Sequence, residues 1–243
     1  GLNTWANAPL PNANPTYNVP AGTPATFDYR VLVHDVPWNC GNPVSNVVNV
    51  TIQSQPTISA FTNDGYICIG GTAFLTSTPS GGSGNFAYQW QSSPNGSNSW
   101  TNISGATAQN YTAPGSAAGT TYYRVLLADN SNNCADPISN VISVIVINQP
   151  TVSISTLTPV ICIGGTFLIS STVNNGSGLY AYQWQTSDNV AGPWSNITTN
   201  GDGPEYSELL NTPGVKYYRV IVDDIVSGCG QMTSTVISIT VNP

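Results

Sequence analysis

The chain has 243 residues, a formal net charge of −7 and charged side chains at only 6% of its length, against about 25% in an average soluble domain. Its basic residues, Arg30, Arg124, Lys216 and Arg219, are too few and too scattered to neutralise a run of phosphates or grip an anionic bilayer, which argues against nucleic-acid and membrane-surface roles. No apolar run approaches the roughly 18 to 20 residues that span a bilayer, and no leader pattern opens the chain, so no membrane insertion is expected of this segment.

Hydrophobic residues nevertheless make up 40% of the chain, many of them Val, Ile, Tyr and Trp, a composition that buries strands and disfavours disorder. In chain order, residues 1–55 carry Trp5, Arg30, Cys40 and Pro43-Val44-Ser45-Asn46-Val47. Each returns 94 or 95 residues later, as Trp100, Arg124, Cys134 and Pro137-Ile138-Ser139-Asn140-Val141. Only the back part of a repeat is present there. Its front strands are missing, so residues 1–55 are expected either to be an excerpt of a longer polypeptide or to be completed by strands from a neighbouring chain.

Residues 56–149 form a complete repeat, with short β-branched or aromatic runs separated by Gly, Pro, Ser and Asn, the punctuation of an all-β sandwich. Strands are expected at 57–60, 72–78, 86–92, 99–103, 109–112, 120–128 and 139–147. Residues 150–243 repeat the pattern: Ile67-Cys68-Ile69-Gly70-Gly71-Thr72 returns as Ile161-Cys162-Ile163-Gly164-Gly165-Thr166, and Tyr88-Gln89-Trp90-Gln91 as Tyr182-Gln183-Trp184-Gln185, an offset of 94 (162 − 68 and 184 − 90). Alternation puts Trp90, Trp184, Tyr123 and Tyr218 on inward faces, the Trp on the third main strand and the Tyr opening the penultimate one, as in immunoglobulin-like sandwiches. They read as core aromatics. Junctions are short and carry Pro56 and Pro150, so a stiff rod of tandem immunoglobulin-like repeats is expected, each touching its sequence neighbours.

The order Cys-x-Gly-Gly-Thr, Tyr-Gln-Trp-Gln, Trp-x-Asn-Ile, Tyr-Tyr-Arg-Val, Cys and Ser-Asn-Val-Ile resembles the immunoglobulin-like repeats of giant surface proteins of Bacteroidota, including gliding-motility adhesins of the SprB type. That resemblance implies export by the type IX route, an extracellular location at the cell surface, and adhesion to surfaces or polysaccharide. The expected partners are neighbouring repeats of the same polypeptide, other filament chains, surface polysaccharide, or a host or substratum. The leading function is a structural and adhesive filament segment; the alternative is a spacer or carbohydrate-binding region of a secreted enzyme.

Five cysteines occur, Cys40, Cys68, Cys134, Cys162 and Cys229, without Cys-x-x-Cys spacing and with His34 as the lone histidine, which points to disulfides and away from zinc. Pairing within repeats would join Cys68 to Cys134 and Cys162 to Cys229. Those partners lie toward opposite poles of a sandwich, about 23 Å apart for a strand of about seven residues, whereas bridged Cα atoms approach within about 7 Å. In a head-to-tail rod Cys68 instead meets Cys229 of the next repeat. The inter-repeat bond is the leading expectation, and the within-repeat pairing is its rival.

Little else in the sequence suggests chemistry. His34 and Asp35 point to opposite faces of a strand, and the positions matching His34 in the other repeats are Ala128 and Asp223, so no catalysis is expected. Glu205, Glu208, Asp223 and Asp224 could hold calcium with loop carbonyls, but solvated loop acids are the plainer reading; no cofactor is expected. Asp35, Asp129 and Asp224 occupy equivalent sites suited to turn capping. The repeated arginines, beside outward Tyr122 or Tyr217, suit a cation-π or hydrogen-bond role. Trp38, in the loop Val36-Pro37-Trp38-Asn39-Cys40, is a contact candidate, for a neighbouring domain or a sugar ring.

Overall fold

The computed structural model describes residues 5–8, 16–20, 22–34, 41–130 and 134–243; Trp38, Asp35 and Cys40 lie outside them. Every regular element among the described residues is a strand. The back part of the first repeat contributes β1 (Ala25–Tyr29) and β2 (Val48–Ile52), paired antiparallel with Tyr29 opposite Val48.

The second repeat contains β3 (Thr57–Thr62), β4 (Tyr66–Cys68), β5 (Thr72–Ser80), β6 (Phe86–Ser93), β7 (Thr101–Asn102), β8 (Tyr111–Pro114), β9 (Gly119–Asp129) and β10 (Ile142–Ile147). They form two facing sheets, β4-β10-β9-β6-β7 and β3-β5-β8. The third repeat follows with β11 (Thr151–Thr156), β12 (Val160–Cys162), β13 (Gly165–Asn174), β14 (Tyr180–Ser187), β15 (Ser195–Asn196), β16 (Glu205–Leu210), β17 (Gly214–Asp224), β18 (Gln231–Thr233) and β19 (Ile237–Asn242). Its sheets are β12-β19-β17-β14-β15, with β18 on β17, and β11-β13-β16. Both complete repeats are immunoglobulin-like sandwiches.

Alternation along the strands builds the cores. Trp90 and Trp184 are fully buried, and each indole Nε1 donates across the sandwich to a backbone carbonyl, Ala108 O at 3.1 Å and Gly203 O at 2.9 Å, as a buried indole N–H requires. Tyr123 and Tyr218 are buried too. A tilted aromatic row runs Trp90, Tyr111, Tyr123 in one repeat and Trp184, Tyr206, Tyr218 in the other, at centroid spacings of 5.9 to 6.2 Å.

The structure corrects several expected boundaries. The strand expected at 99–103 shrinks to β7, and that at 139–147 begins as a ladder only at Ile142, with Ile138 held by an isolated bridge to Leu126. β4 is a strand that periodicity does not announce: it has three residues, is followed by a glycine turn, and pairs parallel with β10, its Cys68 opposite Ile147. That pairing fixes where the cysteine sits.

Candidate functional site

The region where repeats meet is assembled from two short turns and one linker side chain. On the second repeat, the Cys-x-Gly-Gly motif folds back tightly: Gly71 N donates to Cys68 O at 2.9 Å and Gly70 N to Gly115 O at 2.8 Å. Gly70 has φ +85°, a conformation that side chains with a Cβ rarely adopt. A Cβ on Gly71 would stand 3.0 Å from Cys68 O, so the motif needs both glycines to present the cysteine beside the end of β10. In the third repeat β12 likewise pairs parallel with β19, with Cys162 opposite Asn242 and Gly164 at φ +78°.

On the third repeat, Asp224 organises the loop that carries Cys229. Its Oδ1 accepts from Val226 N at 3.3 Å and Ser227 N at 3.2 Å, and from Ser177 Oγ at 2.6 Å, while Oδ2 accepts from Ser177 N at 2.7 Å. The carboxylate is buried. Burial alone would raise its pKa, but the hydrogen bonds from Ser177 and Ser227 outweigh that and hold it below the ordinary carboxylate value. Asp129 serves the second repeat in the same manner through Ser83, whose N–H it accepts at 2.7 Å and whose hydroxyl it also accepts. Thus both aspartates cap a turn, and the turn lies chiefly across the sandwich, between the second and third main strands.

These turns bring Cys68 and Cys229 together. The two are joined by a disulfide between repeats, with Cα atoms 5.2 Å apart, inside the range such bonds require. Gln149 lies against it: Nε2 donates to Cys229 O at 2.8 Å, and Oε1 sits 3.4 Å from Cys68 Sγ, a packing contact because a bonded sulfur carries no proton. Gln55, the matching linker residue, accepts through Oε1 from Ala135 N at 3.0 Å, beside Cys134. Pro56 and Pro150 are buried. Both linkers therefore dock onto the repeat that follows them. Cys134 and Cys162 are free thiols, half-buried and exposed respectively.

Other sequence candidates are dispersed. Glu205 accepts from Ser170 Oγ at 3.0 Å, and Glu208 turns inward to accept the hydroxyls of both Tyr206 and Tyr218, each at 3.0 Å. Burial first, and the Glu208 carboxylate second, push both tyrosines well above the ordinary phenol value. Among the described residues no group of three or more His, Cys, Asp or Glu is placed to hold a metal ion. His34 is exposed, its Nδ1 2.5 Å from Asn42 Oδ1. No helix among the described residues is long and apolar enough to cross a membrane.

The repeated arginines find partners that sequence reading missed. Arg30, Arg124 and Arg219 stack over Trp5, Trp100 and Trp194 at 4.0, 4.2 and 4.4 Å from the ring centroid, instead of over the outward tyrosines. Arg124 Nε also donates to Gln91 Oε1 at 2.7 Å, and Gln91 Nε2 to Asn102 Oδ1 at 2.8 Å; Arg219, Gln185 and Asn196 repeat the relay at 2.7 and 2.7 Å. The relay accounts for the second Gln of Tyr-Gln-Trp-Gln and the Asn of Trp-x-Asn-Ile. The recurrence of both Trp and Arg at offsets of 94 or 95 residues was the available signal.

A family described as Domain of unknown function (DUF8696) matches residues 57–148 and again 151–243. No curated protein matches the chain. Among solved structures, fibronectin(III)-like modules of Clostridium thermocellum CbhA are 15% identical, covering 75% of this chain and 92% of that one at a TM-score of 0.36. Murine CEACAM1b is 12% identical, covering 76% of this chain and 100% of that one, with a TM-score of 0.41. The N-terminal four Ig domains of Dscam1 isoform 8.4 are 10% identical over 78% of this chain, which spans 47% of that one, with a TM-score of 0.38. The fold described above rests on strand pairing, and these likenesses add nothing to it.

Proposed function

The chain belongs to the DUF8696 family, and from that premise we propose that it is a structural and adhesive segment of an extracellular, cell-surface filament whose successive repeats are tied covalently. One observation carries the reading: the Cys68–Cys229 bond joins two sandwiches that each close their own core. A disulfide fits an oxidising, extracellular setting. Tension applied to the ends of the chain passes through that bond, so the 161 residues of sequence separation between its cysteines lie outside the loaded path. Fully extended, that stretch would span about 550 Å.

The resemblance to the repeats of Bacteroidota surface proteins extends the proposal to export by the type IX route and to service in surface attachment or gliding. Reach and stiffness are what this segment supplies, and no catalysis is assigned to it. Pulling single molecules by their ends tests the mechanical claim. Adding reductant is expected to lengthen the fully extended chain by about 550 Å, the length of the stretch that the bond bypasses. An extension unchanged by reductant would refute the proposal.

A further inference from the structure

The turn between β3 and β4 carries more polar chemistry than its geometry needs. Thr62 Oγ1 accepts from Asp64 N at 3.1 Å and donates to Phe74 O at 3.0 Å, and Gly65 O accepts from Ile145 N at 2.9 Å. The third repeat builds the same turn. There Thr156 Oγ1 accepts from Thr158 N at 3.2 Å and donates to Leu168 O at 2.6 Å, and Pro159 O accepts from Thr240 N at 2.8 Å. It does so with Leu157, Thr158 and Val160 in the places of Asn63, Asp64 and Tyr66, so those three side chains are not what closes the turn. Asp64 Oδ2 steadies the next strand by accepting from Phe74 N at 3.0 Å. Asp64 Oδ1, the Asn63 amide and the Tyr66 hydroxyl have no hydrogen-bond partner among the described residues.

The same three residues line a cleft of about 680 Å³ between the second and third repeats, within the roughly 300 to 1,000 Å³ of small-ligand sites. Its opposite wall is Val226, Ser227 and Gly228, in the loop that Asp224 holds through Val226 N and Ser227 N. Cys68 lines the cleft too, and its bond to Cys229 ties the two walls together. Alternation along β4 buries Ile67 in the second repeat's core and leaves Tyr66, 43% exposed, on the face of Cys68.

Charge narrows what such a cleft takes. No Lys, Arg or His lines it, so an anion finds no counter-charge, and the lone carboxylate of Asp64 falls short of the several oxygen ligands that a divalent cation takes. A neutral ligand with an apolar face and many hydroxyls suits the lining. The C–H face of a sugar ring can lie on Tyr66 and Val226, while its hydroxyls donate to Asp64 Oδ1 and pair with the Asn63 amide, which both donates and accepts.

We infer that this cleft binds a neutral oligosaccharide and that the site exists only while the two repeats are held together. The inference rests on the adhesive part of the function proposed above, and places it at a junction instead of on one sandwich. Because the walls belong to different repeats, opening the Cys68–Cys229 bond lowers affinity, and by reciprocity a bound saccharide resists the parting of the repeats.

Amide chemical shifts of the isotope-labelled full chain, titrated separately with cellotriose, maltotriose and triacetylchitotriose, provide the test. At least one trisaccharide is expected to shift both Asn63–Cys68 and Val226–Gly228 saturably, with a dissociation constant on the order of 1 mM. Tyr66→Ala should weaken binding about tenfold by removing the stacking surface. Asp64→Asn still offers an oxygen to Phe74 N but loses the charged acceptor, and should weaken binding about fivefold. Replacing Cys68 and Cys229 together by Ser should weaken it at least as much, with the amides of Trp90 and Trp184 unshifted as the sign that both cores remain folded. The inference is overturned if no trisaccharide shifts both segments, if the Tyr66 and Asp64 variants bind as tightly as the unaltered chain, or if affinity survives loss of the bond. Undiminished binding by the variants would leave the adhesive reading standing with its site elsewhere, and the filament reading keeps its own test in the pulling experiment.

Discussion

Replacing both Cys68 and Cys229 by Ser should do more than lower stability; it should uncouple the two repeats. Gln149 lies against the bond, so when the third repeat unfolds beside a folded second one, the loop that the bond closes runs from Gln149 to Cys229, about 80 residues (229 − 149), and the loop-entropy relation gives about 4.5 kcal/mol. The second repeat unfolding alone frees a loop of similar size. With both unfolded the loop is the full separation of 161, and the same relation gives about 5 kcal/mol. The bond therefore opposes the first unfolding event strongly and the second hardly at all. At the midpoint of joint unfolding each repeat has gained about 2.5 kcal/mol, and the half-unfolded states lie about 2 kcal/mol above the end states.

Scanning calorimetry reads this directly. The oxidised chain should show one transition for these repeats, with a van't Hoff enthalpy close to the calorimetric sum. The doubly substituted chain should melt about 10 to 20 °C lower, given about 4 to 8 °C per kcal/mol for domains of this size, and its calorimetric enthalpy should be about twice the van't Hoff value. Identical melting temperatures, or two separate transitions in the oxidised protein, would refute the reasoning.

Three further outcomes are expected. Glu208→Ala leaves two buried tyrosine hydroxyls without their acceptor and should cost the third repeat about 1 to 3 kcal/mol by urea unfolding, with the second repeat's midpoint unchanged in the reduced protein. Asp224→Asn should lower stability at neutral pH. Because the folded carboxyl titrates below its ordinary value, the native advantage is present above about pH 4 and disappears as pH falls through the folded pKa, so wild-type and variant acid-unfolding curves should converge there. Arg124→Lys keeps the charge but loses the planar stack on Trp100 and the directed hydrogen bond to Gln91; about 0.5 to 1 kcal/mol should be lost from the second repeat, read by denaturant midpoint.

Period-two alternation made the cores legible: Trp90, Trp184, Tyr123 and Tyr218 are placed inward by spacing alone, and the structure buries all four. The repeat offset carried the cysteine argument, since pole-to-pole stacking follows from strand length and short linkers. What spacing could not show was why Cys68 faces the next repeat. A three-residue strand has too few alternations to register, and its parallel partner β10 lies about 80 residues downstream (147 − 68). The inward turn of Glu208 was hidden for another reason. Its neighbours Glu205 and Ser207 read as an exposed edge, while the hydroxyls that hold it come from its own strand and from β17. Trp100 and Trp194 were visible as repeated aromatics, but only folding shows that they, and not the adjacent tyrosines, lie under the arginines.

The parallel pairing of β4 with β10 has a final consequence. Cys68 and the linker after Ile147 leave the second repeat side by side, about 4.8 Å apart as neighbouring strands are, and both continue covalently into the third repeat. A single peptide tie resists twist only through what it is docked against, here Gln149 and the buried Pro150. Two ties offset from the axis make a strap, so a twist imposed at one end is handed on as torque, and reducing the bond would lower the torsional stiffness of the junction.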